Sequence, residues 1–355
     1  MRPRKSAPVY GKASGHILEG VVYRNLGASR PNVLLGPGRG LDNAIISVGR
    51  TRVMVVTTDP VSMIPEIGEK TSAWLSVHLI ASDYATSGLS PEFASFDFNF
   101  PPEMSTASQE TYLEGVGTAC KEVGVAIVAG HTGSYPGAGL TVIGGGTMLG
   151  FGRRKDCLDP SMSRKGDTIL MTKGAAIEAA ASLATAFPEY TARRAGRALA
   201  RKAMSLVSSC STVKDALTAV KVGVGAEGVT SMHDATEGGV LGGLEEMAAA
   251  SGHSMRVDKG SILLTDEARA VCGAFRIDPL SSLSEGTLLI TCDSRRVDEL
   301  TATLARAGVR CAAIGRVGGG SGLWTRDGDG AFERATLGPD GYWQAYSRAS
   351  SMGLR

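Results

Sequence analysis

The sequence predicts an α+β protein of two domains, and three observations carry that prediction. At 355 residues the chain exceeds what one ordinary core covers. Hydrophobic residues make up 43% and charged residues 20%, ordinary globular usage that excludes wholesale disorder. Hairpin patterns and helical periods mix in both halves, which favours α+β over a doubly wound parallel sheet. The 47 glycines imply many tight turns and places where backbone comes close to a ligand.

Along the chain, residues 16–26 read as a short helix with Ile17, Val21 and Val22 on one face. Residues 43–48 and 52–58 read as a hairpin turning at Gly49-Arg50, with Pro60 stopping the second strand. A helical period runs over 69–87 through Leu75, Leu79 and Tyr84. Phe96, Phe98 and Phe100 alternate with polar residues and mark a half-buried strand. Residues 105–123 form a further helix; 125–129 read as a buried-type strand and 140–148 as another. The charged, Gly/Pro-punctuated stretch 150–166 is the expected boundary. This places one domain at 1–150, a second at 166–325 and a C-terminal extension at 326–355. In the second, strands at 168–172, 229–233, 286–292 and 309–316 alternate with helices at 175–186, 238–251 and 294–307, with helical segments reaching Val222.

Several functions are excluded. Thirty-seven Lys+Arg against 35 Asp+Glu leave +2, too balanced for an electrostatic nucleic-acid binder. No apolar run approaches the ~18 residues of a membrane span, and no apolar segment follows the basic start MRPRKSAPVYGK. The six cysteines form no CxxC pair and read as buried, reduced thiols. The expectation is a soluble, cytoplasmic protein without a nucleic-acid or membrane partner. P-loop and Rossmann motifs are missing, so those chemistries lack a warrant.

The chemistry concentrates in acidic residues beside glycines. GPGRGLDNA sets Asp42 after a glycine-rich turn carrying Gly38 and Gly40; VVTTDP sets Asp59 at a strand end; ASDYATSG sets Asp83 on a mostly apolar helix. AGHTGS sets Gly130, His131 and Thr132 just past a strand. Carboxylates converging on one pocket suit Mg²⁺, which takes oxygen ligands and shares them with phosphates. Any single one of these is more often a turn or cap residue. In SMHDATEGGVLGGLEEMA a strand ends at His233-Asp234, and Gly238-Gly239 open a helix with Leu241, Leu244 and Met247 inward. Such a turn aims backbone N–H groups at an anion, although Asp234 or Thr236 could simply cap the helix.

The order of these motifs, continued by GDTIL and IDPLSSLSEG, resembles the aminoimidazole-ribonucleotide-synthetase superfamily over about residues 11–318. The similarity is greatest to its hydrogenase expression/formation branch, through MHDATEGGVLGGLEEMAAASG and IDPLSSLSEGTLLI. The resemblance implies a PurM-like fold of two α+β domains, dimerising through an N-terminal β-barrel, with ATP and Mg²⁺ near the dimer interface. It implies metal and nucleotide contacts for Asp42, Asp59 and Asp83, and nucleotide contacts for Gly38, Gly40, Gly130, His131, Thr132, Gly238 and Gly239. Lys12, Asp83 and Asp234 then carry catalysis, Lys12 as a mobile point charge over phosphate.

The departures shift the expectation. The branch ends in a cysteine-bearing tail, whereas here the last cysteine is Cys311 and the chain ends SSMGLR; nitrile synthesis by that route is not expected. His131 replaces the usual Asp, which removes a charge and leaves one metal in place of two; Ser82 replaces an Asn. Glu237 replaces a frequent Arg, which turns the preference toward a neutral or cationic substrate. The expectation is an ATP-dependent transferase or ligase acting on an amide-, carboxylate- or phosphate-type group of a small molecule or partner protein. The alternative is a nucleotide-binding, non-catalytic member of a maturation complex.

Overall fold

The computed structural model describes residues 11–13, 15–139 and 141–354. Tyr10 and Ser14 of the YGKASG segment, and Leu140 at the start of an expected strand, lie outside them. The first half builds one sheet from β1 (Val33–Leu35), β2 (Ala44–Ser47), β3 (Arg52–Ser62), β4 (Phe93–Phe100), β5 (Ala126–Ser134) and β6 (Val142–Arg153). Their spatial order is β1-β2-β3-β6-β4-β5, antiparallel throughout except for the parallel pair β4–β5. The helices of this half are α1 (Gly15–Gly20), α2 (Glu69–Ala85) and α3 (Thr106–Glu122), the last capped by Ser105. Ile80 and Tyr84 of α2, Tyr112 of α3 and Phe96, Phe98 and Phe100 of β4 share one core.

Two expectations fail here. β3 runs on through Pro60, which pairs with Gly145. β2 pairs with β3 only up to Val56, so Pro60 lies where β3 has a partner on one side and its missing N–H is tolerated. Asp59 is therefore a mid-strand residue. β5 is not buried: Ile127 is 49% and Val128 60% exposed, because β5 is the sheet edge.

The second half builds a sheet from β7 (Thr168–Thr172), β8 (Val229–Asp234), β9 (Ser254–Asp258), β10 (Leu288–Cys292), β11 (Cys311–Gly318), β12 (Gly322–Arg326) and β13 (Glu333–Arg334), ordered β13-β12-β9-β11-β7-β10-β8. β7, β8 and β10 are buried at every position. Leu244 and Met247 cover one face of this sheet, Leu300 and Leu304 the other. That two-sided burial suits the apolar centres of β7 and β10. Beyond the last expected strand, β12 and β13 extend the sheet. Its helices are α4 (Ile177–Ala186), α5 (Pro188–Ala195), α6 (Arg197–Ser205), α7 (Val213–Ala219), α8 (Gly239–Ser251), α9 (Asp266–Phe275), α10 (Val297–Arg306) and α11 (Gly341–Ser351). α11 packs Tyr342, Ala345 and Ala349 onto α4 and α9. Among the described residues no helix is long and apolar enough to cross a membrane.

The halves meet on α2, a helix buried on nearly every side. Ser72 and Ser76 take the backbone N–H groups of Ile64 and Ser62 in the first half. Ser82 takes the N–H of Thr212, and His78 pairs with Ser211, in the second.

Candidate functional site

Asp42, Asp59 and Asp83 converge where the two halves meet, and local hydrogen bonds fix their spacing. The Thr57 hydroxyl donates to the Asp42 carbonyl at 2.8 Å, tying the Asp42 loop to β3. The Asn43 amide donates to the Asp83 carbonyl and to Thr86 Oγ1, both at 2.8 Å, tying it to α2. Gly40 allows the loop's approach: its φ is +72°, and a Cβ there would run into the carbonyl of Glu246 on α8. Gly38 lies in the same loop, where a Cβ would meet Leu41.

The second half answers with the end of β8. His233 is bracketed by Asp42 Oδ2 at 2.7 Å on Nδ1 and Glu246 Oε2 at 2.9 Å on Nε2. Burial alone would strip its charge, but the two carboxylates outweigh burial and hold the imidazolium to about 10. Burial likewise pushes Glu246 up, and hydrogen bonding and charge from His233 and Lys12 reverse this to about 2. Lys12 closes the set. Its Nζ lies 3.4 Å from Glu246 Oε1, and its backbone N–H donates to Glu237 Oε2 at 2.5 Å. Despite burial, Glu246, Asp42 and Asp234 raise its pKa, so it stays charged.

Asp234 contrasts with its neighbour. It is fully buried, and neither carboxylate oxygen has a hydrogen-bond partner. Burial first, and then the charge of Asp42, push it up to about 7. Asp59 reaches about 7 through burial, with Glu237 and Asp42 adding repulsion and Lys12 opposing. Asp83 is driven well above its ordinary value by burial and then by Asp234, Asp59, Asp42 and Glu285.

Ligand atoms of Asp42, His233 and Asp234 lie within 4.8 Å of one another, among the described residues. Both His233 nitrogens are engaged by carboxylates, which leaves no lone pair for a metal. The oxygen donors are Asp234 and the free side of Asp42, with Asp59 and Asp83 coupled to them electrostatically. An orphaned buried carboxylate beside other carboxylates fits a hard divalent cation such as Mg²⁺.

Other expected residues are placed differently. Gly130, His131 and Thr132 lie within β5, and the row Asp59–Gly146–Phe96–Gly130 crosses three strand spacings, roughly 14 Å along the sheet. One chain does not bring them to Asp59. His131 instead contacts Tyr135, Nε2 to hydroxyl at 2.6 Å. The Gly238-Gly239 turn has its positive φ values, +82° and +62°. Its N–H groups are not open to an anion, however: Gly238 donates to Asp340 Oδ2 and Gly239 to the Thr236 carbonyl. Sequence reasoning overlooked His233, Glu246, Glu178 and Glu285 as site residues, although His233, Glu246 and Glu285 sit inside quoted motifs.

Fold and cleft together define a two-domain α+β protein of the PurM-like class. The chain belongs to the AIR synthase related protein family: its N-terminal domain matches residues 40–151 and its C-terminal domain residues 164–325. Among curated relatives it is 26% identical to a carbamoyl dehydratase HypE of Rhizobium leguminosarum bv. viciae, over 86% of this chain and 83% of that one. Among solved structures it resembles HypE in a HypE–HypF complex, with TM-score 0.68 and 16% identity over 91% of this chain and 100% of that one. It also resembles the hydrogenase maturation protein HypE in complex with ATP, with TM-score 0.64 and 20% identity over 93% and 96%.

Proposed function

We propose that this chain is an Mg-ATP-dependent enzyme that phosphorylates or dehydrates an amide-, carboxylate- or phosphate-type group on a small molecule or partner protein. The observation that carries the reading is Asp234: a fully buried carboxylate with no partner, beside Asp42, at the junction of the halves. Likeness to a structure of HypE with ATP, and to HypE taken from a complex with HypF, supports the nucleotide and the partner protein. Asp42 and Asp234 would hold the cation, with Asp59 and Asp83 completing the oxygen set. A divalent cation there supplies charge neutralisation and Lewis acidity to phosphoryl oxygens. Phosphoryl transfer asks the protein chiefly for positioning and charge. His233 orients Asp42, and Glu246 orients both His233 and Lys12. Lys12 offers a point charge toward phosphate. No thiol competes as a nucleophile: burial pushes Cys120 up to about 11, Cys157, Cys272, Cys292 and Cys311 up to about 12, and Cys210 well above its ordinary value.

A homodimer belongs to the same proposal. β5 leaves Ile127 and Val128 bare on an open sheet edge, and Gly130–Thr132 would reach a nucleotide only from a second copy. Light scattering at micromolar concentration tests this, and a single-chain mass would refute it. The enzymatic reading is tested by incubating the chain with Mg-ATP, monitoring ADP and AMP, and recording the melting temperature. Stabilisation by Mg-ATP that is weakened in Asp59→Asn and Asp83→Asn is expected; no ATP-dependent shift at millimolar Mg-ATP would overturn the reading.

A further inference from the structure

A second group of carboxylates in this cleft has no part in the reading above. Four segments are stitched together around it. The Ala176 N–H donates to Ser284 Oγ at 2.8 Å, and the Ala179 N–H donates to the Leu283 carbonyl at 3.0 Å. The Ser284 N–H donates to the Thr236 carbonyl at 3.2 Å. From α11 and its cap, Asp340 accepts the Gly238 N–H at 2.9 Å, and the Trp343 indole donates to Glu237 Oε1 at 3.2 Å. These bonds gather Glu178, Glu237, Glu285 and Asp340.

Two of the four are satisfied. Glu237 takes Trp343 on one oxygen and the Lys12 backbone on the other. Asp340 takes the N–H groups of Gly238 and Tyr342. Glu178 and Glu285 are not satisfied: each has a buried Oε2 with no hydrogen-bond partner, and Glu285 is only 6% exposed. Burial first, then Glu237, Asp340 and Asp59, push Glu178 up to about 8. Burial, then Asp234, Glu178 and Asp59, drive Glu285 well above its ordinary value. Orphaned buried carboxylates are costly, and two kept side by side require something that answers them. Both carboxyls keep their protons while nothing answers them, an anion would hold them there by repulsion, and only a cation gains from their ionisation. Neither residue joins the one metal-spaced cluster found among the described residues. A compact organic cation fits, and a guanidinium's fork of donors matches two carboxylates.

We propose that Glu178 and Glu285 hold the ammonium or guanidinium end of the second substrate, in a pocket walled by Asp340 and Trp343 of the C-terminal segment. The inference rests on the reading of this cleft as a nucleotide–acceptor site and narrows the acceptor to a cationic one. Glu237, which ties Lys12 to Trp343, then joins the nucleotide side to the acceptor side.

Calorimetric titration of the full chain tests this, with methylguanidinium and butylammonium as probes and N-methylurea and acetate as controls, each with and without Mg-ATP. A cation should saturate near one per chain and the controls should not. Glu178→Gln and Glu285→Gln should each weaken cation binding roughly 30-fold, with the Mg-ATP shift retained. Equal cation binding by wild type and both variants, or none at millimolar concentration, would overturn the pocket. If Glu285→Gln unfolds, the less buried Glu178→Gln decides alone. Cation binding without any response to Mg-ATP would uphold the pocket and remove the nucleotide reading.

Discussion

Two sets of charged side chains lie a few residues apart in this cleft and are built on opposite rules. In the first, Asp42, His233, Glu246 and Lys12 alternate in sign and are joined by hydrogen bonds from 2.7 to 3.4 Å. In the second, Asp234, Glu285 and Glu178 are all acidic and retain oxygens without partners. The first set is complete in the protein alone and holds the two halves in register. On the reading proposed above, the second is completed by what it binds. On that reading adjacent residues of β8, His233 and Asp234, serve structure and ligand respectively.

The comparison is broken most severely at His233. His233→Ala leaves Asp42 and Glu246 without their shared cation, and stability should fall by about 3–5 kcal/mol in chemical denaturation. A loss below about 1 kcal/mol would mean that the pairing carries geometry and little charge.

Asp234→Asn tests the other set. Removing an unanswered buried charge should leave the ligand-free protein as stable or more so. The stabilisation by Mg-ATP, about 2.7 kcal/mol at 100 times its dissociation constant, should vanish. A destabilised ligand-free variant would place Asp234 with the structural set.

Lys12 is the outermost member of the first set, with its side chain half exposed and its ion pair long at 3.4 Å. Lys12→Ala should cost less than about 1 kcal/mol of ligand-free stability while lowering ATP turnover ~100-fold. Unchanged turnover would confine Lys12 to the ion pair.

The smallest effect is on pH dependence. The folded chain raises Asp59 and Asp234 from an ordinary 3.8 to about 7, and His233 from 6.5 to about 10. In both windows the folded state binds more protons than the unfolded state, so stability falls as pH rises through them. Melting temperature measured without ligand should decline across both windows. Mg²⁺ should flatten the lower one, where it replaces protons on carboxylates, and leave the His233 window in place. A rise in melting temperature with pH would refute the sign.

What the sequence discloses and what it hides follows from the range of the interactions. Asp42, Asp59, Asp83 and Asp234 are legible because each sits in a short Gly- or Thr-rich motif. The Phe96–Phe100 alternation and the Ser105-capped helix α3 are legible because period and capping are local. His233 is hidden because its role depends on Asp42, 191 residues away. Exposure of β5 is hidden because an apolar run reads the same in a core and on a sheet edge. The run-on at Pro60 is hidden because it depends on where β2 ends. The strands β12 and β13 are hidden because five and two residues give too short a pattern. The Gly238 turn is locally legible, but its occupant, Asp340, comes from a segment 102 residues on.

The burial of α2 has a mechanical consequence. This helix is shared masonry: Ser72 and Ser76 brace the first sheet's β3 end, while His78 and Ser82 grip the segment at Ser211-Thr212. Melting either half strips one flank of the helix and exposes core that the other half needs. The two sheets should therefore lose order in one calorimetric transition. A protease cut between Arg153 and Thr168 should nick the backbone while the two pieces stay clasped through α2.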